Sequence, residues 1–180
     1  MDTPQFDSLP VDGVDGRVIL TRFPGRGIGD DFSLQRFEKV LSALSARGCR
    51  VLISLAEDRE FAAFCGKALF AGKVAEHGLG WYHLPIPDFQ PPEPSFLARW
   101  ATVSDALLEE LRTGHDVCLH CKGGIGRSGT VAAMLLIDQG LGCDEAITRV
   151  RRARKGAIET AGQEAFVRSY SRARKGSGPV

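Results

Sequence analysis

The sequence has no long apolar run and no excess of either charge. Without 18 consecutive apolar residues it cannot form a membrane-spanning helix from one continuous stretch. Its 23 lysines and arginines against 22 acids give a formal charge of +1, which offers no general electrostatic basis for nucleic-acid binding. Residues 1–10 also lack the basic and apolar parts of a secretory signal. We therefore expect a cytoplasmic protein with no membrane or nucleic-acid partner.

Cysteine usage excludes two further classes. The five cysteines are an odd number, and they supply neither a pair of CxxC motifs nor a Cys/His zinc spacing. This argues against a disulfide framework or a structural metal. At 180 residues with 43% hydrophobic residues, the chain is long enough for one domain with its own core. We expect a single domain over residues 1–180, with a flexible tail at residues 172–180.

Short apolar segments alternate with segments of helical periodicity. Apolar residues recur at helical spacing over residues 32–44 and 96–111, and an interrupted helix is expected over 61–75. Five prolines between residues 85 and 94 predict a stiffened loop. The predicted strands lie at residues 17–20, 51–55, 81–84 and 116–120. This alternation predicts an α/β fold with a central, mostly parallel sheet of four or five strands and helices on both faces.

A glycine-rich turn follows the last predicted strand and precedes a buried helix expected over residues 130–137. Its glycines let consecutive amides turn inward, and amides that converge at a helix N-terminus bind anions such as phosphate. A guanidinium in the turn can hold two phosphoryl oxygens, and the positive groups together favour a thiolate nucleophile. No metal or cofactor is required. The expected phosphate-binding residues are Cys121, Lys122, Gly123, Gly124, Ile125, Gly126 and Arg127, with Cys121 as nucleophile.

The segment from His120 to Ser128 follows the pattern His-Cys-x5-Arg-Ser. It resembles the signature loop of the cysteine-dependent protein tyrosine phosphatase superfamily, and specifically its compact dual-specificity branch. The resemblance implies that Ser128 hydrogen-bonds the Cys121 sulfur and assists its departure, while His120 braces the loop. It also places Asp88, in the proline-rich loop, where the family has its mobile general acid. Among other loop acids, Asp30, Asp31, Glu57 and Asp58 lack that setting.

A later segment extends the resemblance. Residues 156–160, followed by Gln163, are similar to the region after the signature helices in kinase-associated phosphatase-like members of the branch. By this likeness Gln163 positions the attacking water, and the alternative is that it caps a helix. Two departures from the family pattern concern substrate preference: Lys155 stands where a proline is common, and Phe89-Gln90 follow Asp88 in place of small residues.

The sequence therefore predicts a phosphatase acting on phosphotyrosine, and with a shallow pocket also on phosphoserine or phosphothreonine, of proteins. Its partner would be a phosphoprotein, and its active site would accept phosphate or sulfate. The first alternative is an inositol phosphate or phosphoinositide substrate, for which Lys122 in the loop is the argument. A rhodanese-like sulfurtransferase and a catalytically silent phosphate-binding module are the others, and Arg127 together with Asp88 argues against both.

Overall fold

The computed structural model describes residues 4–176 of the chain, which form five strands and seven helices. The strands are β1 (Asp7–Pro10), β2 (Arg17–Thr21), β3 (Cys49–Ser54), β4 (Gly80–His83) and β5 (Asp116–His120). The helices are α1 (Leu34–Ala46), α2 (Asp58–Phe64), α3 (Lys67–Glu76), α4 (Pro94–Arg112), α5 (Gly126–Asp138), α6 (Cys143–Ala153) and α7 (Ala161–Gly176).

The strands form one sheet in the order β1-β2-β5-β3-β4. Strands β2, β5, β3 and β4 are parallel, and β1 is antiparallel to β2. The expected mostly parallel α/β sheet is thus confirmed. Strand β1 was not expected, because its four residues carry no clear alternation; it is defined by its pairing with β2, from Asp7 opposite Leu20 to Pro10 opposite Arg17.

The two faces of the sheet bury separate hydrophobic clusters. In β2, Val18 and Leu20 face the cluster that includes α4, α5, α6 and α7, whereas Ile19 faces the cluster that includes α1, α2 and α3. This follows from the two-residue period of a strand. Helices therefore cover both faces, as the sequence predicts. Helix α5, between strand β5 and helices α6 and α7, is buried along nearly its whole length.

The interrupted helix expected over residues 61–75 is observed as two helices, α2 and α3, with the interruption at Gly66. Helix α2 begins earlier, at Asp58, and ends before Gly66, whose φ of 74° lies in the left-handed region that favours glycine. Helix α3 starts directly after it. The break allows α2 to turn independently of α3, and the first turn of α2 lies beside the glycine-rich turn after β5.

Within residues 4–176, no helix is long and apolar enough to cross a membrane. The backbone of α7 continues to Gly176, and the last four residues of the expected flexible tail lie outside the described residues. The flexibility of residues 172–180 therefore stays a prediction, as does the assignment of residues 1–180 to one domain.

Candidate active site

The glycine-rich turn follows the carboxyl end of β5, which lies between β2 and β3 in the sheet. In parallel sheets ligands bind at this end of the strands. Helix α5 starts inside the turn, at Gly126, and the amide of Gly129 donates to the carbonyl oxygen of Ile125 at 3.1 Å. The first amides of a helix have no partner within it, so the positive end of α5 faces the turn.

Gly124 lets the turn lie directly against the end of β2. Its φ is 69°, and a Cβ atom there would lie 2.2 Å from the carbonyl oxygen of Thr21 and 2.6 Å from the nitrogen of Arg22. A larger residue would therefore push the two segments apart. This conformation brings the Gly124 amide to 3.1 Å from the sulfur of Cys121, to which it donates.

Cys121 lies at the floor of a cavity of about 260 Å³ that Asp88, Arg127 and Gln163 also line. Its sulfur lies 3.6 Å from the hydroxyl oxygen of Ser128, on the first turn of α5. The structure thus brings together the Cys121 sulfur, the Ser128 hydroxyl and the Arg127 guanidinium, which all come from one short segment of the sequence. It also adds Asp88 from another part of the chain.

Arg127 is buried, and its guanidinium is held in one orientation. Nη1 and Nη2 donate to the two carboxylate oxygens of Glu60 at 2.7 and 2.8 Å, and Nη1 also donates to the carbonyl oxygen of Ile86 at 3.1 Å. Burial lowers the pKa of Arg127, but the bonds to Glu60 outweigh it, so the net pKa is raised. The guanidinium is therefore a fixed cation at the cavity wall.

Sequence reasoning missed Glu60. Burial raises the pKa of Glu60, whereas the hydrogen bonds from Arg127 and from the Glu57 amide lower it. The hydrogen bonds outweigh burial, so the net pKa of Glu60 is below its usual value. The Glu57 amide donates to Glu60 at 2.7 Å within a capping box at the start of α2. The spacing Glu57-x-x-Glu60 is a signal for that box, although it gives no hint of the contact with Arg127.

The acid loop, defined here as residues 85–92, brings Asp88 to the same cavity. A carboxylate oxygen of Asp88 lies 2.9 Å from Nη2 of Arg127 and accepts from the Phe89 amide at 3.1 Å. The Asp88 amide donates to Glu57 at 3.1 Å. Phe89 has a φ of 60°, unusual for a non-glycine residue, and its side chain is 55% exposed. The acid loop thus places Asp88 in the cavity that Cys121 also lines, while the exposed Phe89 faces solvent.

Gln163 is fully buried and connects the acid loop to the start of α7. Its carbonyl oxygen accepts from the amides of Glu159 and Thr160 at 2.9 and 3.2 Å, and its amide nitrogen donates to the carbonyl oxygen of Gln90 at 3.3 Å. These contacts give Gln163 the capping position that the sequence left as one alternative. Because it also lines the cavity, a role in positioning water stays a prediction.

His120 lies in a buried relay that ends at the Cys121 backbone. The Trp81 indole donates to the Ser54 hydroxyl at 2.8 Å, Ser54 lies 2.5 Å from Nε2 of His120, and Nδ1 lies 3.3 Å from the Cys121 carbonyl oxygen. Burial lowers the pKa of His120 to about 3. The ring is therefore neutral, and donation from Nδ1 to the carbonyl leaves Nε2 to accept from Ser54.

The family model described as "Swiss Army Knife protein, DSP-PTPase phosphatase domain" matches residues 30–167. The chain belongs to this family. It is a cysteine-dependent protein phosphatase of the dual-specificity branch, so the recognised superfamily and enzyme class are confirmed.

Three known phosphatases are similar to this chain in sequence or in fold. Protein tyrosine phosphatase PRL-1 of Leishmania major is 29% identical over 146 residues, 78% of each chain. The structure of Tk-PTP in its active form is 29% identical, with a TM-score of 0.69 over 92% of this chain and 97% of that one. Kinase associated phosphatase, carrying serine in place of its catalytic site cysteine, has a TM-score of 0.82 at 23% identity over 99% and 100% of the chains, a likeness of fold.

Two cations that the sequence analysis did not single out, Arg26 and Arg154, bind backbone carbonyl oxygens of the signature loop. Arg154 donates to the carbonyl oxygen of Gly123 at 3.0 Å and forms an ion pair with Asp7 of β1. The carbonyl oxygen of Lys122 accepts from Arg26 at 3.1 Å, and the Lys122 ammonium lies 3.2 Å from Asp30. Outward-facing carbonyls tied in this way leave the loop amides free to face the cavity.

Within residues 4–176, no group of three or more His, Cys, Asp or Glu side chains has the arrangement of a metal site. The groups that line the candidate active-site cavity include the Cys121 thiol, the Arg127 guanidinium, the backbone of the glycine-rich turn and the Asp88 carboxylate. Together these can bind a phosphoryl group, attack it and move a proton.

Proposed function

We propose that the phosphatase removes phosphate from phosphoproteins through a cysteinyl-phosphate formed on Cys121. The observation that carries this is the position of the Cys121 sulfur, 3.1 Å from the Gly124 amide, in a cavity that Arg127 and Asp88 also line. An amide that donates to sulfur stabilises its negative charge. The amides of residues 122–127 and the Arg127 guanidinium would hold the phosphoryl oxygens.

In the first step the sulfur attacks phosphorus, a sulfur–phosphorus bond forms and the bond to the leaving oxygen breaks. Asp88 supplies the proton that this oxygen needs. In the ligand-free structure its carboxylate lies 2.9 Å from Arg127. Phosphoryl oxygens would replace the carboxylate there, and a small movement of the acid loop would bring Asp88 to the leaving oxygen.

In the second step water attacks the phosphocysteine, and Asp88, now ionised, accepts a proton from that water. The sulfur–phosphorus bond breaks and phosphate is released. The Ser128 hydroxyl, 3.6 Å from the sulfur, would donate to the departing thiolate and stabilise it. The nearby Gln163 amide is the candidate group to orient the water.

We propose phosphotyrosine as a substrate, together with phosphoserine or phosphothreonine. The cavity of about 260 Å³ is open to solvent beside the exposed Phe89, which suits the side chain of a protein segment. The inositol alternative has less support, because the Lys122 ammonium that would favour it is paired with Asp30 at 3.2 Å. Phosphate or sulfate would occupy the site as a product or its analogue, and a cytoplasmic location stays a prediction from the sequence.

The test is turnover of an aryl phosphate in the presence of a metal chelator. Cys121→Ser should abolish turnover, because a serine hydroxyl is a far weaker nucleophile than a thiolate. Cys65→Ser, a half-buried cysteine outside the cavity, is the matched control and should retain wild-type rates. A rapid acid quench of wild type should also trap phosphate on the enzyme. Full turnover by Cys121→Ser, or no turnover by wild type, would contradict the proposal.

A further inference from the structure

A second cavity adjoins the active site. We call it the basic cleft, and it has a volume of about 340 Å³. Its charged lining consists of Arg22, Arg26, Arg36, Lys39 and Asp31. Arg26 lines both this cleft and the active-site cavity, so a ligand longer than one side chain can extend from one into the other.

The basic cleft carries four cations and one carboxylate, in a chain whose net charge is only +1. Two of the cations are already paired, Arg36 with Asp31 at 3.1 Å and Arg26 with Asp30. For Arg22 and Lys39, no carboxylate among residues 4–176 lies within ion-pair distance. These two side chains are therefore available to a negatively charged ligand.

The carboxylates of the active-site cavity belong to chain segments that do not reach the basic cleft. Asp88, in the acid loop, and Glu159, just before α7, line the active-site cavity but not the basic cleft, whereas Arg26 lines both. If a ligand carried negative charges on both sides of its phosphoryl group, the carboxylates of Asp88 and Glu159 would repel the charges on one side. The arrangement fits a ligand whose negative charges lie on one side of the group that reacts, and this gives the site a direction.

The rim of the basic cleft indicates the kind of ligand. Ile28 lines the cleft and is 94% exposed. An exposed apolar side chain among cations suits a polypeptide, which offers apolar and acidic side chains in alternation, better than it suits a free polyphosphate.

We propose that the basic cleft binds an acidic segment of the substrate protein, next to the phosphorylated residue, through Arg22 and Lys39. The proposal rests on the proposed function, since it assumes that the phosphoryl group lies against Cys121. Exposed ion pairs are individually weak and are screened by salt. Two of them should together change kcat/KM by roughly three- to tenfold at low ionic strength.

The experiment compares three phosphotyrosine peptides, with three glutamates on the N-terminal side, three on the C-terminal side, or glutamines on both. We expect one acidic peptide, and not the other, to exceed the neutral peptide in kcat/KM by roughly three- to tenfold. The double variant Arg22→Ala, Lys39→Ala should lose this preference, and 0.5 M salt should weaken it in wild type. Aryl phosphate turnover should stay unchanged in the variant.

Arg50→Ala, Arg112→Ala is the matched control. It removes the same charge, but Arg50 is the second residue of β3 and Arg112 is the last residue of α4, just before β5. Both therefore lie at the amino-terminal end of the parallel strands, away from the active site. This control should keep the full preference. Equal rates for the three peptides would overturn the inference, and so would a preference that survives the loss of Arg22 and Lys39. In either case, normal turnover of the aryl phosphate would leave the proposed phosphatase function intact. A variant defective on inositol polyphosphate but not on any peptide would overturn it as well.

Discussion

The signature loop, residues 120–128, and the acid loop meet at Arg127 but are held in opposite ways. The signature loop is buried: Gly124 lies against β2, His120 is fixed by Ser54, and Arg154 binds its outer side. The acid loop is held mainly through backbone groups, by Thr160 on the Phe89 carbonyl and Gln163 on the Gln90 carbonyl, and its tip is exposed. The half that we propose to bind phosphate is therefore rigid, whereas the half that we propose to transfer protons can move.

Arg127→Lys gives the largest expected effect and tests the rigid half. Lysine keeps the charge but loses the planar fork that binds Glu60 and the phosphoryl group at once. We expect kcat/KM on an aryl phosphate to fall by roughly 10³-fold, measured by steady-state kinetics. Activity within tenfold of wild type would show that charge alone, and not the fixed orientation, matters.

Glu60→Gln tests whether the rigid half also supports stability. Removing one partner of a buried ion pair costs about 3 kcal/mol, to be measured by urea unfolding at pH 7. Because the folded-state pKa of Glu60 is lowered, the carboxylate contributes stability above its usual pKa and loses it as the pH falls through the lower folded value. The difference between wild type and variant should therefore shrink below about pH 4.

The control for this variant is Glu38→Gln, which removes an exposed carboxylate paired with Lys73 at 2.9 Å. We expect it to cost less than about 1 kcal/mol. If both variants lose the same free energy of unfolding, the buried pair of Glu60 and Arg127 stabilises the fold no more than an exposed ion pair does. The proposed rigidity of the signature loop would then have no support from stability.

Asp88→Asn tests the mobile half and should give the smallest effect of the three. The loss of the proton donor should lower kcat by roughly 10²-fold on phenyl phosphate and by less on an aryl phosphate with a more acidic leaving group, which needs less protonation. Because the acid loop is partly exposed, the unfolding temperature should hardly change. An equal loss on both substrates would indicate that Asp88 acts by binding and not by proton transfer.

Elements with a strong local pattern were predicted well. The predicted strand at residues 116–120 has the observed bounds of β5, because a short apolar run stands between Gly114 and the glycine-rich turn. Helix α1, predicted over 32–44, is shifted by two residues, since Ser33 caps its start and accepts from the Arg36 amide. Strand β1 has no such pattern, and it is defined by pairing with β2, a separate strand later in the chain.

The same distinction holds at the active site. The residues of the signature loop are adjacent in sequence, so their pattern alone brought Cys121 and Arg127 together. Glu60 lies 67 residues before Arg127, and Arg154 lies 31 residues after Gly123. Each is fixed by packing of distant elements, which no local pattern reports. The relay of Trp81, Ser54 and His120 likewise depends on the side-by-side arrangement of β4, β3 and β5.

The close approach of Gly124 to Thr21 limits how far this phosphatase can be truncated at its N-terminus without losing the structure of the signature loop. The family match starts at residue 30, yet the loop that holds the sulfur is built against β2, and Asp7 of β1 anchors the arginine behind it. A shortened chain of residues 30–167 would leave β5 with an open edge and the loop without its supporting wall. Engineering or transplanting this catalytic centre therefore requires the first two strands to be carried along with it.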